Sequence, residues 1–177
     1  YYRDLDSELY AVVEPIADYV EDLPLIVAHT GIKHHSGNFH RPLRDRWIEG
    51  DQTVVKAYND IAQLAREGKK AMLRGDWDHL SYLMNKNHEI QDNLTDSGPE
   101  NNHMIKVAKK NGALAAKLAG AGGGGTIIVL STDPDRTKEA LTEAGAEDFI
   151  DLDAGGLGVV VEQGTDLCLK DGARAYK

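Results

Sequence analysis

Cysteine is almost absent from this 177-residue chain, where Cys168 stands alone. A single thiol excludes an intrachain disulfide, so stability must come from the core, and the pattern suits a reducing, cytoplasmic setting. Cations are also scarce, with 20 Lys and Arg against 29 Asp and Glu, for a formal charge of −9. A duplex binder needs clustered cations to displace counterions, so no nucleic-acid partner is expected. Arg41, Arg44 and Arg46 remain as a local basic spot able to hold a small anion. Long hydrophobic runs are missing too. The longest uncharged stretch, Leu118 to Thr132, is glycine-rich and shorter than the roughly 20 residues a membrane span needs, so no membrane partner is expected. No basic start leads into an apolar segment as in a signal peptide, and no internal repeat or heptad run is visible. The chain opens on Tyr1-Tyr2 rather than methionine, so a trimmed terminus or a piece of a longer protein is expected.

What is present suffices for one domain. Apolar residues make up 41% of the chain, an ordinary share for a packed core. Leu23 to Thr30, closed by Gly31, reads as a short buried strand. Asp51 opens a long helical pattern with Val54, Tyr58, Ile61, Ala65 and Met72 on one face. Gly75 ends it, and Asp76 caps a second helix whose inner face includes Leu80, Leu83, Met84 and Ile90. Ser97-Gly98-Pro99-Glu100 has capping-box spacing, predicting a third helix to Lys110 that stops at Asn111-Gly112. Ala113 to Leu118 reads as extended, and Asp133-Pro134 starts a helix ending near Gly145. Asp148 to Leu152 and Leu157 to Glu162 read as further strands, followed by a polar tail over 163–177. Consecutive helices flanked by strands predict an α+β domain with an antiparallel sheet rather than alternating βαβ units.

Gly120 to Gly125 reads Gly-Ala-Gly-Gly-Gly-Gly and runs directly into the strand-like Thr126-Ile127-Ile128-Val129-Leu130. Each ordered glycine costs roughly 0.5–1 kcal/mol relative to alanine, so the loop implies bare backbone placed against something, with phosphate oxygens the usual partner. Gly120-x-Gly122-x-x-Gly125 satisfies the dinucleotide pattern, but that motif opens a helix, and a β-branched strand follows here. No Gly-Lys-Ser/Thr follows, which excludes a Walker loop, and no His-Arg-Asp or Asp-Phe-Gly accompanies it as in protein kinases. A flexible turn between strands is the plain alternative, although hairpin turns need one or two glycines rather than five.

The stretch Asn111-Gly-Ala-Leu-Ala-Ala-Lys-Leu-Ala-Gly-Ala-Gly-Gly-Gly-Gly-Thr-Ile-Ile-Val resembles the third conserved motif of the GHMP kinases, the galactokinase, homoserine kinase and mevalonate kinase group. Ala119 stands where that motif usually has Thr or Ser, and Ala115 where Gly is common. Ser36-Gly37-x-x-His40, then Leu43-Arg44-Asp45-Arg46-Trp47-Ile48-Glu49-Gly50-Asp51, is similar to glucuronokinases and related sugar-1-kinases. Ala65-Arg66-Glu67-Gly68 and Leu83-Met84-Asn85-x-Asn87 continue the likeness, which covers about residues 23–162. A looser likeness is to the C-terminal half of heptose-7-phosphate kinases.

The resemblance implies a ferredoxin-like C-terminal domain with a four-stranded antiparallel sheet. It also implies transfer of the ATP γ-phosphoryl group to a sugar or sugar-acid hydroxyl, chemistry that rests on positioning and charge stabilisation. The family's Pro-x-x-x-Gly-Leu-x-Ser-Ser-Ala phosphate loop, Mg²⁺ ligands and catalytic Asp belong to an N-terminal domain that this sequence lacks. That domain is thus an implied partner, and the chain alone is expected to be inactive. By the same resemblance, Gly120, Ala121, Gly122, Gly123, Gly124 and Gly125 would lie beside the ATP phosphates and acceptor hydroxyl. Ser36, Gly37 and His40 would contact sugar hydroxyls from a loop, with Arg44 taking a carboxylate or phosphate. Alternatively, Ser36 merely caps a solvated helix.

Other signals have plainer readings. Adjacent His34 and His35 point to opposite faces, and with His29 and His40 they lack an acidic or cysteine partner at ligand spacing, so no metal site is assigned. Lys117 either meets a phosphate or forms an ion pair. Met72, Met84 and Met104 are core filler, and Asp148, Asp151 and Asp153 are strand-edge solvation. A non-catalytic ligand-binding or regulatory module is the second functional class. A kinase half separated from its partner is expected to expose an apolar face, through which a homo-oligomer could form.

Overall fold

Leu25–His29 forms the first strand (β1) of the computed structural model, which describes residues 16, 19–20, 23–32, 37–123 and 125–152. Ser36, His34, His35, Gly124, Leu157 to Glu162 and the 163–177 tail lie outside the described residues. Three further strands follow: β2 (Ala115–Ala119), β3 (Thr126–Leu130) and β4 (Asp148–Asp151). The sheet order is β2-β3-β1-β4, and every pairing is antiparallel. Helices separate β1 from β2 and β3 from β4, while β2 and β3 are joined directly by the glycine loop. This is the α+β, ferredoxin-like arrangement expected from the sequence, with β1 and β3 central.

Alternation along the strands divides the core into two layers. Ile26 and Ala28 of β1, Ile127 and Val129 of β3 and Ala116 of β2 face one side. There they pack against Met104, Ile105 and Ala108 of α4 (Pro99–Lys110) and Leu141 of α5 (Pro134–Glu143). On the opposite side, Ala115 and Leu130 meet Ala71 of α2 (Gln52–Leu73) and Leu80 and Leu83 of α3 (Trp77–Thr95). The second layer covers only one end of the sheet. The next cross-strand row, Lys117, Ile128, Val27 and Ile150, is half-buried to exposed, and Ile150 keeps 56% of its surface open.

The helix starts follow their caps. Asp51 accepts the Thr53 amide at 2.9 Å, and Asp76 accepts that of His79 at 3.0 Å. Asp133 accepts the Arg136 amide at 3.2 Å. Arg46 Nε also donates to Asp51 at 2.8 Å, tying the end of α1 (Gly37–Ile48) to the start of α2.

Two expectations need correction. The buried face of α2 is Val54, Ala57, Gly68 and Ala71, whereas Tyr58 is 38% exposed and Ala65 lies outside. Ala71 packs against Leu80 and Leu83 of α3, and this contact, rather than the stripe drawn through the larger side chains, sets the buried face. The capping box before α4 does not form either. Gly98 holds the N-cap position at φ +90° without a side-chain bond, and the Ser97 amide donates to Asp92 at 2.9 Å. The α3–α4 turn is therefore organised from Asp92, one helical turn upstream.

Candidate functional site

The glycine loop lies between β2 and β3 and is held from two directions. From β1, Thr30 Oγ1 accepts the Gly125 amide at 2.9 Å, and the Thr30 amide donates to Gly125 O at 2.7 Å. His29 Nδ1 lies 2.6 Å from the same carbonyl. From the α3–α4 turn, Ser97 O accepts the Gly123 amide at 3.1 Å. A β-carbon on Gly122 would stand 2.9 Å from Asp96 O and 3.2 Å from Thr95 Oγ1, so backbone and helix end meet there without room for a side chain. Gly120, Gly122, Gly123 and Gly125 all have positive φ, between +78° and +102°, which favours glycine sterically.

The amides of Gly120, Ala121 and Gly122 have no hydrogen-bond partner among the described residues. Successive uncommitted N–H groups in a glycine-rich turn form a concavity suited to anionic oxygens. This chemistry fits a nucleotide phosphate. A Mg²⁺ ligand set is a different matter, since no group of three or more His, Cys, Asp or Glu able to hold a metal occurs among the described residues.

Behind the loop lies a partly buried polar cluster centred on Asp92, of which sequence reasoning picked out only Ser97 and Gly98, in a capping role. Asp92 accepts from the Ser97 amide at 2.9 Å and from Asn102 Nδ2 at 3.3 Å, and the Ser97 bond holds its carboxyl below the usual carboxylate range. Asp96 takes a left-handed conformation at φ +57° and accepts the Gly98 amide at 3.1 Å. Asn101 Nδ2 donates to Ser97 O at 3.0 Å, and both Ser97 and Asn101 are fully buried. Burial lowers the pKa of the neighbouring His88. The only trace of this cluster in the sequence is the run of turn formers Thr95-Asp96-Ser97-Gly98, because Asp92 is linked to it by a bond spanning five residues.

A pH experiment tests this support. Because the folded Asp92 pKa is depressed, the carboxylate stabilises the native state above its unfolded value of about 3.9. That contribution is lost as pH falls through the folded pKa. Asp92→Asn keeps an oxygen acceptor but removes the charge, so its urea midpoint should fall less steeply below pH 4 than that of the parent chain. His88 is also depressed and contributes separately, losing its stabilisation as pH falls from about 6.5. Parallel curves for the two proteins below pH 4 would rule out the role given to Asp92.

The other site expectations fall on α1. Gly37 starts this helix, and His40 and Arg44 are exposed on it, so the segment is helical where a loop was expected. His40 and Arg44 share a helix face at i, i+4 spacing. Arg44 Nη1 lies 3.9 Å from Asp45 Oδ1, an exposed contact of little energetic weight. Helix α1 packs against α2 and α3, whereas β1 and the α3–α4 turn anchor the glycine loop. The two groups of predicted residues thus sit on different supports.

Residues 69–150 match the family described as GHMP kinases C terminal, and the chain belongs to the GHMP kinase superfamily through this C-terminal domain. Among individual relatives, it is 33% identical over 130 residues to a probable glucuronokinase 2 of Arabidopsis thaliana, covering 72% of this chain and 35% of the relative. It is 29% identical over 126 residues to a mevalonate kinase of Pyrococcus furiosus, covering 68% and 37% respectively. The chain therefore spans about a third of the length of these relatives. Its fold is similar to that of the L. major mevalonate kinase solved with R-mevalonate, with a TM-score of 0.62, 23% identity and coverage of 71% of this chain and 40% of that one. No helix among the described residues is long and apolar enough to cross a membrane.

Proposed function

We propose that this chain is the C-terminal part of an ATP-dependent kinase whose acceptor is an alcohol bearing a carboxylate, with a uronic acid the favoured substrate. The observation that carries the reading is the row of amides at Gly120, Ala121 and Gly122, which have no hydrogen-bond partner among the described residues, in a loop pinned at Gly123 and Gly125. A pinned loop whose exposed end, Gly120, carries such a donor is preorganised for phosphate oxygens and needs no rearrangement as charge moves during transfer. ATP would meet this loop, and Mg²⁺ ligands would come from an upstream domain. The half-open row Lys117, Ile128, Val27 and Ile150 adjoins the strand ends that carry the loop, which supports a covering N-terminal domain there. On the acceptor side, His40 and Arg44 project from one helix face, with Gly37 and Ser36 preceding them. The carboxylate preference draws on the glucuronokinase relative and on the Arg44 guanidinium, a good carboxylate partner.

The test compares the 177-residue chain with a protein that joins it to an upstream ATP-binding half. Only the joined protein should phosphorylate D-glucuronate from ATP. Within it, Arg44→Ala should raise the glucuronate KM roughly tenfold while leaving a neutral sugar unaffected, the scale of one charge-assisted hydrogen bond. Turnover by the 177-residue chain alone contradicts the division of labour. Equal loss for both sugars removes the carboxylate role, and no turnover by the joined protein favours a non-catalytic binding module.

A further inference from the structure

Lys117 is directed into a pocket that no described residue of the glycine loop lines. The pocket has a volume of about 290 Å³ and lies between α2, α3 and β2. Its walls are Leu64, Met72, Leu80, Leu83 and Met84, and Gly68 of α2 opens it, since nothing but Leu80 comes near the place of a β-carbon there. Among the described residues, the polar side chains of the lining are Asn87, Lys69 and Lys117. In a chain of net charge −9, no acidic residue lines this cavity among the described residues.

The lysine is the unusual part. Its ammonium has three donors, and one reaches Leu118 O at 2.6 Å on its own strand. Among the described residues, no carboxylate lies within ion-pair distance of Lys117. Burial accordingly pushes its pKa down from the usual lysine value. A cation withdrawn from water without a counterion is costly, and an incoming anion removes that cost. The volume lies just below the range of about 300–1,000 Å³ typical of ligand pockets, and the composition, an apolar wall with few polar groups, is typical.

We propose that the α2–α3–β2 pocket binds a small amphipathic carboxylate, its apolar body against Leu80, Leu83 and Met84 and its anionic end on Lys117 and Asn87. The site is distinct from the loop amides, and ligand binding here is independent of the kinase reading. Lys117 lies three residues before Gly120 on the strand that enters the loop, so an occupied pocket would be felt there.

The probes are octanoate and its uncharged counterpart 1-octanol, titrated into the isotopically labelled 177-residue chain and followed by amide chemical shifts. Octanoate should shift the amides of Gly68, Asn87 and Lys117. Lys117→Met should weaken octanoate at least tenfold and change 1-octanol less than twofold, while Lys117→Arg retains the preference for the acid. Gly68→Leu, which fills the cavity from α2, should weaken both probes and stands as the test if Lys117→Met does not fold. Equal affinity of parent and Lys117→Met for octanoate overturns the proposal. So does the absence of binding, or a response centred on Ile128 and Ile150 instead of the pocket.

Discussion

Gly122→Ala should destabilise the fold by on the order of 2–4 kcal/mol, a large part of the 5–15 kcal/mol typical of a domain. Two penalties combine. An L-residue at φ +102° is strained by roughly 1–2 kcal/mol. Its β-carbon would also lie 2.9 Å from Asp96 O, a backbone atom held by the left-handed turn that ends α3, so the neighbour cannot swing aside. Gly120→Ala is the control, because it shares the positive φ, +97°, but meets nothing within 4 Å. It should cost about 1–2 kcal/mol, from backbone strain alone. Urea unfolding of both variants measures the difference. If the two midpoints coincide, the close approach of loop and helix end is not a real constraint.

Ile127→Ala should cost on the order of 2–5 kcal/mol, the range for deleting a fully buried branched side chain. Ile127 has no exposed surface, occupies a central strand and packs in the layer of Met104, Ile105 and Leu141. Both neighbouring strands are hydrogen-bonded to β3, so the cavity cannot close by backbone movement. Ile150→Ala, on the edge strand with 56% of its surface open, should change stability by no more than about 0.5 kcal/mol. A loss at Ile127 as small as that at Ile150 would contradict the two-layer core.

The two glycine substitutions also show where sequence reasoning on the site stopped. A run of five glycines announces a stretch of bare backbone, yet it does not distinguish the reasons for bareness. In the fold those reasons differ by position. Gly122 is bare because the α3–α4 turn presses on it, and the Gly125 amide and carbonyl serve Thr30 and His29. Gly120 faces open space, so the case for a ligand rests on that end of the loop. The glucuronokinase-like segment had a similar limit. Its residues could be recognised, but Gly37 and His40, expected on a loop, lie in the helix Gly37–Ile48, in line with the alternative of a helix start.

Periodicity and punctuation were enough to place the described elements other than α1: apolar runs at Leu25–His29 and Thr126–Leu130, caps at Asp51, Asp76 and Asp133, and stops at Gly75 and Gly145. These signals are local, because a strand alternates and a helix caps within a few residues of itself. The glycine motif, also contiguous, was enough to indicate the family. Tertiary structure alone decided which helix face is buried, that Asp92 replaces Ser97 in organising the turn before α4, and that Lys117 enters a pocket with no carboxylate among the described residues. Each of those outcomes depends on atoms brought together by packing across layers. The free energy of such contacts belongs to pairs of distant segments, and no single stretch of the chain carries it.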